Sequence, residues 1–350
     1  MTRTLPVDPR SPQPDVISRA AQCLRDGGLV AFPTETVYGL GANALDATAA
    51  ARIFAAKERP ADDPLIVHLA DAADLPLVAS DIPAVARTLA AQYWPGPLTL
   101  VLPKAASIPG IITSGGSSVA VRVPRHPVAL ALIREAGVPV AAPSANLFSR
   151  PSPTTAAHVR EDLEGRIDLL LDGGPCPVGV ESTVLDLTCV PPRVLRPGAV
   201  TIEMLRAFLP EVTSGRPVPR PDRAPASPGL LDTHYAPRTP LTLYAGPPEL
   251  RRARMLTEVT ALITRGARAG VLVSDEDAAL FRHAGAFTVA LAPEGDLDTA
   301  ATRLYAALRT LDAGQVDVIL ATAITSDDHM GAALSDRLTR AASGRVVTVH

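Results

Sequence analysis

Short apolar runs and helical periodicities alternate along the first part of the chain. Val16, Ile17, Ala20 and Leu24 fall on one helical face, and the glycines that follow at 27–28 end that helix. The same reading predicts further elements: strands at 29–32, 65–69, 98–102, 119–123, 138–142, 169–171 and 183–187, and helices at 47–56, 82–92, 127–136 and 154–163. The mixture predicts an α/β domain built on a large twisted mixed sheet, over residues 1–208.

The pattern changes in the second part of the chain. Prolines recur through residues 209–240, which excludes a helix and predicts an extended linker, although its His234-Tyr235 pair is more specific than a spacer needs. Beyond it, residues 241–350 alternate between the two element types: strands at 241–244, 270–274, 287–291 and 316–321, and helices at 248–264, 276–284, 299–313 and 330–342. This βα period predicts a smaller, doubly wound, Rossmann-like domain.

Composition limits the classes of function. The chain has 350 residues, 47% of them hydrophobic and 20% charged, as expected for a globular protein with more than one core. A net charge of -3 gives no broad polycationic surface, so any nucleic-acid contact has to be local. Aromatic residues make up only 3%, which argues against a platform for stacking bases.

The cysteines and the N-terminal segment point to a reducing compartment. Cys23, Cys176 and Cys189 are odd in number and fit no metal-ligand spacing, and no histidine stands near Cys176 to activate it. Residues 1–14 are polar and proline-rich, and no apolar run is long enough to span a bilayer. We therefore expect a cytoplasmic protein with no membrane contact, and read the acidic 327–329 segment as a helix cap rather than a metal site.

Candidate chemistry lies at strand ends. Residues 33–36 place two threonines and a glutamate directly after a buried strand, where α/β sheets bind ligands, although an N-cap is an equal reading. Arg122 stands inside an apolar strand, and a buried guanidinium needs an anionic partner. A substrate carboxylate and a structural carboxylate are both candidates. Residues 113–118 offer hydroxyls and backbone N–H groups that suit phosphate.

The loop after residue 56 carries the second candidate feature. Lys57 is one of only two lysines in the chain, and it stands two places before Arg59 in a loop that proline closes. Ammonium and guanidinium groups are well suited to phosphate oxygens, although a solvated helix end is the plainer reading. Three further candidates for ligand binding are the small polar residues at 141–146, those at 181–183, and Arg196. The sequence has no Walker loop and no G-x-G-x-x-G motif.

These segments, taken together, resemble the YrdC/Sua5 family. The matching motifs are Lys57-x-Arg59-Pro60 running into residues 64–68, the turn at 33–40, and residues 95–99, 142–146 and 181–184. The linker motif at 228–237 and residues 336–342 resemble the longer, two-domain members. The resemblance therefore implies a YrdC-like catalytic domain (1–208), a linker that serves as a lid (209–240) and a Sua5-type C-terminal domain (241–350).

The resemblance implies threonylcarbamoyl-AMP synthase activity, a nucleotidyl transfer. L-threonine, bicarbonate or CO2, and ATP would give threonylcarbamoyl-AMP and pyrophosphate, with Mg2+ carried by ATP. The product would pass to the tRNA threonylcarbamoyl-transfer machinery, which modifies position 37 of tRNAs reading codons that begin with A. The C-terminal domain could gate the site, recruit that machinery or support dimerisation, and the sequence does not choose among these roles.

The resemblance also implies roles for individual residues. Lys57 and Arg59 would be catalytic, acting at the phosphates. The residues implied for threonine are Thr36, His68, Arg122, Ala142 and Ser182. The residues implied for ATP are Arg59, Asp63, Ser118, Ser144, Ser152, Arg196 and Tyr235. The family usually has asparagine where Asp63 stands, and an acidic group there would repel phosphate unless Arg59 or magnesium compensates.

Two alternatives remain open at the level of the sequence. One is a carbamoyl-adenylate-forming domain of the hydrogenase-maturation type, which the missing zinc-finger cysteines disfavour. The other is a double-stranded-RNA or tRNA-binding module that uses the cations Lys57, Arg59, Arg122, Arg150 and Arg196. Such a binder would be sensitive to salt and indifferent to threonine.

Overall fold

The computed structural model describes residues 1–215, 234–324 and 330–350, which form two compact units. The first unit contains residues 1–148 and 153–215. The second contains the short segment 149–152 together with the described residues from 234 onward. Each unit has its own sheet.

Parts of two predictions lie outside the described residues. The proposed lid covers 209–240, of which 216–233 are not described, and the acidic segment 327–329 is not described either. The lid and the helix cap therefore stay predictions.

The first unit alternates strands and helices. Its strands are β1 (Arg3–Pro6), β2 (Val30–Phe32), β3 (Gly39–Asn43), β4 (Ile66–His68), β5 (Leu98–Pro103), β6 (Ser118–Arg122), β7 (Val140–Ala141), β8 (Leu169–Asp172), β9 (Thr183–Asp186), β10 (Arg193–Arg196) and β11 (Thr213–Ser214). Its α-helices are α1 (Pro14–Arg25), α2 (Ala47–Lys57), α3 (Ala84–Tyr93), α4 (Pro127–Ala136), α5 (Ala156–Leu163) and α6 (Ile202–Arg206), with 3₁₀ turns at Ala72–Leu77 and Gly110–Thr113.

All of these strands join one mixed sheet in the order β1-β8-β2-β3-β7-β4-β6-β5-β9-β10-β11. The pairs β4–β6 and β5–β9 are parallel, whereas β4–β7 and β5–β6 are antiparallel. The predicted α/β class with a large mixed sheet is confirmed. The apolar runs predicted the central strands because such strands are covered on both faces and therefore lack polar alternation.

Three local features differ from the sequence prediction. The N-terminal segment, for which no element was predicted, forms β1, and Leu5 from it enters the core. Residues 39–43 belong to a strand rather than a turn: a Cβ on Gly41 would lie 2.8 Å from Phe32 Cε1, so close packing requires glycine there and hides the strand signal. The strand predicted at 138–142 is shortened to β7.

Helices cover both faces of this sheet. Helices α1 and α4 pack on one face through residues such as Leu24 and Leu132, in a cluster that includes Phe32 and Val140. Helices α2, α3 and α5 supply residues to the larger cluster on the other face. A small separate cluster contains Ile66, Val101, Ala120, Val184 and Leu195, and it forms an apolar floor over the central strands.

The second unit is a five-stranded sheet in which every described pairing is parallel. Its strands, in the order β14-β13-β15-β12-β16, are β12 (Leu241–Ala245), β13 (Ala269–Val273), β14 (Phe287–Ala290), β15 (Val318–Thr322) and β16 (Val346–Thr348). Its helices are α7 (Pro248–Thr264), α8 (Asp275–His283), α9 (Leu297–Ala313) and α10 (Gly331–Ala341). The predicted alternation is confirmed, and β16 is an additional strand that the sequence reading missed.

Candidate active site

Strand register places two of the residues predicted to bind threonine, His68 and Arg122, on one face of the mixed sheet. Strands β4 and β6 run parallel with His68 opposite Arg122 and Ile66 opposite Ala120. Register partners on neighbouring strands point their side chains to the same face, as do residues two apart along a strand. Ser118, Ala120 and Arg122 therefore share a face with His68, above the apolar floor.

Arg122 is the last residue of β6, and its guanidinium contacts Glu35, Thr36 and Gly96. Its side chain is only 4% exposed, and Nη2 lies 2.6 Å from Glu35 Oε1. Nε donates to the carbonyl of Gly96 at 3.2 Å, and Nη1 donates to Thr36 Oγ1 at 3.0 Å. The anionic partner that the sequence required is thus a carboxylate of the chain itself, Glu35, and the predicted residues Thr36 and Arg122 are in direct contact.

The second oxygen of Glu35 is also held. Oε2 accepts a hydrogen bond from the backbone N–H of Arg125 at 3.0 Å, and the backbone carbonyl of Glu35 accepts one from Val178 at 2.8 Å. Sequence reasoning placed a carboxylate at this strand end but did not include Glu35 among the site residues. Its position between two threonines after a buried strand was the available signal.

His68 is buried and neutral. Burial is the main cause that lowers the pKa of His68 to about 3, and the positive charge of Arg122 acts in the same direction. Its ring meets Phe32 edge-on, with centroids 6.5 Å apart. A neutral imidazole can donate one hydrogen bond and accept another, which suits a hydroxyl group.

Ser182 and Arg196 form a second cluster on the same face. Arg196 donates from Nε to the Ser182 carbonyl at 3.1 Å and from Nη2 to Ser182 Oγ at 3.2 Å. Ser182 Oγ also lies 2.7 Å from Thr99 Oγ1, a residue outside the predicted set. An irregularity in the β9–β10 register between Val194 and Arg196 aligns Arg196 with Val184.

Backbone hydrogen bonds join these two clusters. The N–H of Gly179 donates to the carbonyl of Thr36 at 3.1 Å, and the N–H of Thr183 donates to the carbonyl of Pro97 at 2.9 Å. Pro97 follows Gly96, whose carbonyl holds Arg122. Segments distant in sequence therefore form a single rigid frame around Thr36, Arg122 and Ser182.

The predicted phosphate residues lie toward the opposite end of the same strands. Ser118 begins β6, and at about 3.3 Å per residue it lies about 13 Å along the strand from Arg122. Asp63 and Arg59 belong to the loop that leads into β4, which runs parallel to β6. Arg59 Nη2 pairs with Asp63 Oδ2 at 2.8 Å, and both side chains are 3% exposed.

This ion pair shows what compensates the charge of Asp63, whose contact with ATP stays a prediction. The guanidinium of Arg59 is fixed further by the carbonyls of Asp63 and Pro64, at 3.0 and 2.9 Å. The carboxylate is thereby compensated by the adjacent arginine. It also neutralises part of the positive charge that the loop would otherwise present to phosphate.

Lys57 holds the neighbouring loop. Asp46 caps helix α2 by accepting hydrogen bonds from the first turn, and the helix ends at Lys57, with Glu58 in the left-handed region at φ 53°. The Lys57 ammonium is buried and donates to the carbonyls of Ser144 and Asn146. Lys57 therefore contacts the predicted Ser144 segment directly.

Ala142 connects that segment to β4. Its N–H donates to the carbonyl of Ile66 at 2.9 Å, and β7 runs antiparallel to β4. The chain beyond Ala142 consequently runs back toward the start of β4 and brings Ser144 to the end where Asp63 lies.

Two of the predicted ATP residues belong to the second unit. Ser152 is fully buried there, and so is Tyr235, which has a left-handed φ of 61°. The Tyr235 ring packs against Tyr305 with centroids 5.6 Å apart, and the Arg337 guanidinium carbon lies 5.5 Å from the ring centre. A nucleotide contact for Ser152 and Tyr235 stays a prediction.

Three further observations concern a metal site, a cysteine nucleophile and a membrane span. Among the described residues, no group of three or more His, Cys, Asp or Glu side chains could hold a metal ion. Burial raises the pKa of the Cys176 thiol, so this cysteine is unsuited to act as a thiolate nucleophile. Nor does any helix in these residues combine the length and the apolarity needed to cross a bilayer.

The fold and site define an α/β protein whose mixed sheet carries buried cations and hydroxyl groups at both ends of one face. A family described as "Telomere recombination" (Sua5/YciO/YrdC) matches residues 22–198, and one described as "Threonylcarbamoyl-AMP synthase, C-terminal domain" matches residues 200–343. The chain belongs to the Sua5/YciO/YrdC family.

Relatives match nearly the whole chain. It is 45% identical over 332 residues to the threonylcarbamoyl-AMP synthase of Bacillus subtilis, covering 95% of this chain and 94% of that one. It is 44% identical over 339 residues to the Pyrococcus abyssi protein of the same name, covering 94% and 95%. These shares leave little of either relative unmatched.

Solved structures of the same family resemble this chain as well. The crystal structure of P. abyssi Sua5 complexed with L-threonine superposes with a TM-score of 0.91 at 42% identity, covering 100% of both chains. E. coli YciO matches 57% of this chain and 96% of its own, with a TM-score of 0.52 at 27% identity. The family resemblance stated from the motifs is therefore confirmed.

Proposed function

We propose that this chain is an L-threonylcarbamoyladenylate synthase, a nucleotidyltransferase that converts L-threonine, bicarbonate and ATP to threonylcarbamoyl-AMP, pyrophosphate and water. The observation that carries the proposal is the shared face of β4 and β6. Arg122, His68 and Thr36 lie at one end, and Arg59, Asp63 and Ser118 lie at the other. That separation suits an amino acid bound beside a nucleotide.

In this proposal the protein aligns reactants rather than attacking them. Bicarbonate gives CO2 and water with a proton that the threonine ammonium releases, and the neutral amine then bonds to CO2 and loses its proton to solvent. An oxygen of the resulting carbamate attacks the α-phosphorus of ATP, and the bond to the pyrophosphate leaving group breaks. Arg122 would bind the threonine carboxylate, and neutral His68 and Ser182 would contact its hydroxyl and backbone. Holding both reactants in one geometry contributes much of the acceleration in reactions of this kind.

Cations and magnesium would act on the phosphates. Arg59 supplies positive charge at the nucleotide end, and Lys57 orients the loop at 144–146 that faces it. Magnesium would enter with ATP and screen the charge that develops on pyrophosphate. The buried side chains would keep water away from a product that hydrolyses.

The RNA-binding alternative is not favoured. A module that binds the phosphate backbone presents its cations to solvent, whereas Lys57, Arg59, Arg122 and Arg196 are each at most 7% exposed. Their charged groups contact carbonyls, hydroxyls or carboxylates of the chain. The downstream partner is, in our proposal, the machinery that transfers the threonylcarbamoyl group to tRNA.

The test is direct. Purified protein is incubated with magnesium, ATP, labelled bicarbonate and each amino acid in turn, and the products are separated on a nucleotide-resolving column. We expect a labelled adenylate and pyrophosphate with L-threonine, and at least ten-fold less with alanine or valine. Equal product with every amino acid, or none with threonine, would contradict the proposal.

A further inference from the structure

The contact between Glu35 and Arg122 brings two buried groups of opposite charge together. The two charged atoms are 2.6 Å apart and both side chains are nearly fully buried. Nevertheless, Glu35 Oε1 and Arg122 Nη2 each lack a hydrogen bond of acceptable geometry among the described residues. The contact is an ion pair, and it does not use the full capacity of either atom, because a carboxylate oxygen accepts more than one hydrogen bond and Nη2 carries two N–H groups. Both atoms thus keep unused hydrogen-bonding capacity.

Every other polar atom of these two side chains is engaged. Glu35 Oε2 accepts from the N–H of Arg125, while Arg122 Nε and Nη1 donate to Gly96 and Thr36. The side chains are therefore fixed, and the unused capacity is concentrated on two adjacent atoms of opposite charge. The two atoms compensate each other's charge, and their remaining capacity suits a ligand that donates a hydrogen bond to the oxygen and accepts one from the nitrogen.

An α-amino acid zwitterion has the required chemistry. Its ammonium group donates hydrogen bonds, its carboxylate accepts them, and one carbon atom separates the two groups. The proposed function already assigns the carboxylate to Arg122. We infer that Glu35 is a specificity-determining residue that receives the amino nitrogen of the substrate at Oε1. The inference rests on the proposed function of this site.

Charge balance supports the assignment. Arg122 and Glu35 sum to zero, and a zwitterion also sums to zero, so the loaded site carries no net buried charge. A carboxylate ligand without an ammonium group would leave one uncompensated negative charge in a buried place, which is strongly unfavourable. Glu35 thereby selects an amino acid over a hydroxy acid of the same shape that lacks the amine.

The test compares two ligands on two variants by titration calorimetry at pH 7. The ligands are L-threonine and 3-hydroxybutanoate, which shares the carbon skeleton and the hydroxyl but lacks the amine. The test variant is Glu35→Gln, which preserves shape and an acceptor for Arg125 while removing the charge. The matched control is Glu164→Gln, because Glu164 is exposed at the end of α5.

We expect wild-type protein and the control to bind L-threonine at least ten-fold more tightly than 3-hydroxybutanoate. Glu35→Gln should lose at least ten-fold in affinity for threonine and none for 3-hydroxybutanoate, because only threonine has an ammonium group that pairs with the carboxylate. Equal losses for both ligands would show that Glu35 only positions Arg122, and would overturn the inference while leaving the proposed function intact.

Two further outcomes are separable. Wild-type protein that binds no threonine would contradict the proposed function itself, and the inference with it. Circular dichroism shows whether Glu35→Gln folds. If it does not, the test is the ratio of the affinities for L-threonine and 3-hydroxybutanoate, measured on wild type and on Glu35→Asp. The shorter acid keeps the charge and should keep the preference for threonine, whereas equal affinities for the two ligands would overturn the inference.

Discussion

Buried charges that contact each other govern the candidate site at the residue scale. The pairs Arg122–Glu35 and Arg59–Asp63 are both almost inaccessible to water. Removing one partner of such a pair leaves the other charge uncompensated, so each residue sets the electrostatic environment of its neighbour. Sequence alone showed that Arg122 needed an anion. It could not show which carboxylate would meet it, because Glu35 is 87 positions away along the chain (122 − 35).

Asp63 gives a prediction about nucleotide affinity. Its carboxylate neutralises Arg59, so Asp63→Asn should free positive charge toward ATP while retaining an oxygen for hydrogen bonding. We expect KM for ATP to fall by about three- to ten-fold, equivalent to about 1 kcal/mol, with KM for threonine unchanged. The neighbouring Asp62→Asn is the control because Asp62 is exposed. An increase in KM for ATP would indicate that Asp63 serves the nucleotide directly, through its charge.

His68 gives a prediction about pH. Its pKa is about 3 in the folded protein, against an ordinary value of 6.5. Between these values the unfolded chain binds a proton that the folded chain does not. Stability is therefore retained above about pH 6.5 and is lost as the pH falls toward 3, by at most about 1.4 kcal/mol per pH unit for this group.

Urea denaturation at pH 7 and pH 5 measures the effect. Wild-type protein should lose more free energy of unfolding on acidification than His68→Asn does. His283→Asn serves as the control because His283 is exposed, and it should behave as wild type. An equal acid-induced loss in wild type and His68→Asn would refute a neutral buried His68.

Close backbone approach is what holds the site together at the element scale. Pro197 and Gly198 directly follow β10, and Gly198 lies against the start of β9. A Cβ on Gly198 would lie 2.5 Å from the backbone nitrogen of Thr183 and 2.8 Å from the carbonyl oxygen of Glu181. These contacts are to backbone, which cannot rotate away as a side chain could.

Gly198→Ala should therefore lower the free energy of unfolding by about 1–3 kcal/mol, the usual cost of inserting a methyl group into a packed region. Activity should also fall, because Ser182 lies in the displaced segment. Gly110→Ala is the control, since no heavy atom outside its own neighbours lies within 4 Å of the added Cβ, and it should change stability by less than about 0.5 kcal/mol. Equal effects of the two changes, measured by urea denaturation, would contradict this reading.

At the scale of the whole molecule, the architecture was largely predictable and the site geometry was not. Apolar runs predicted the central strands, and βα alternation predicted the parallel sheet of the second unit. The sequence did not predict the glycine-rich strand β3 or the edge strand β1, because their composition is atypical of strands. Motifs named the site residues, but their meeting on one face depends on strand order and register, which no local pattern contains.

The central claim is that one sheet face holds threonine and ATP at opposite ends. Steady-state pyrophosphate release by Arg122→Ala tests it most directly, with Arg125→Ala as control because the Arg125 side chain is exposed and its backbone N–H is retained. We predict that kcat/KM for threonine falls at least 100-fold while the Kd for ATP changes by less than two-fold. Near-normal turnover, or equal losses for threonine and ATP, would contradict the account.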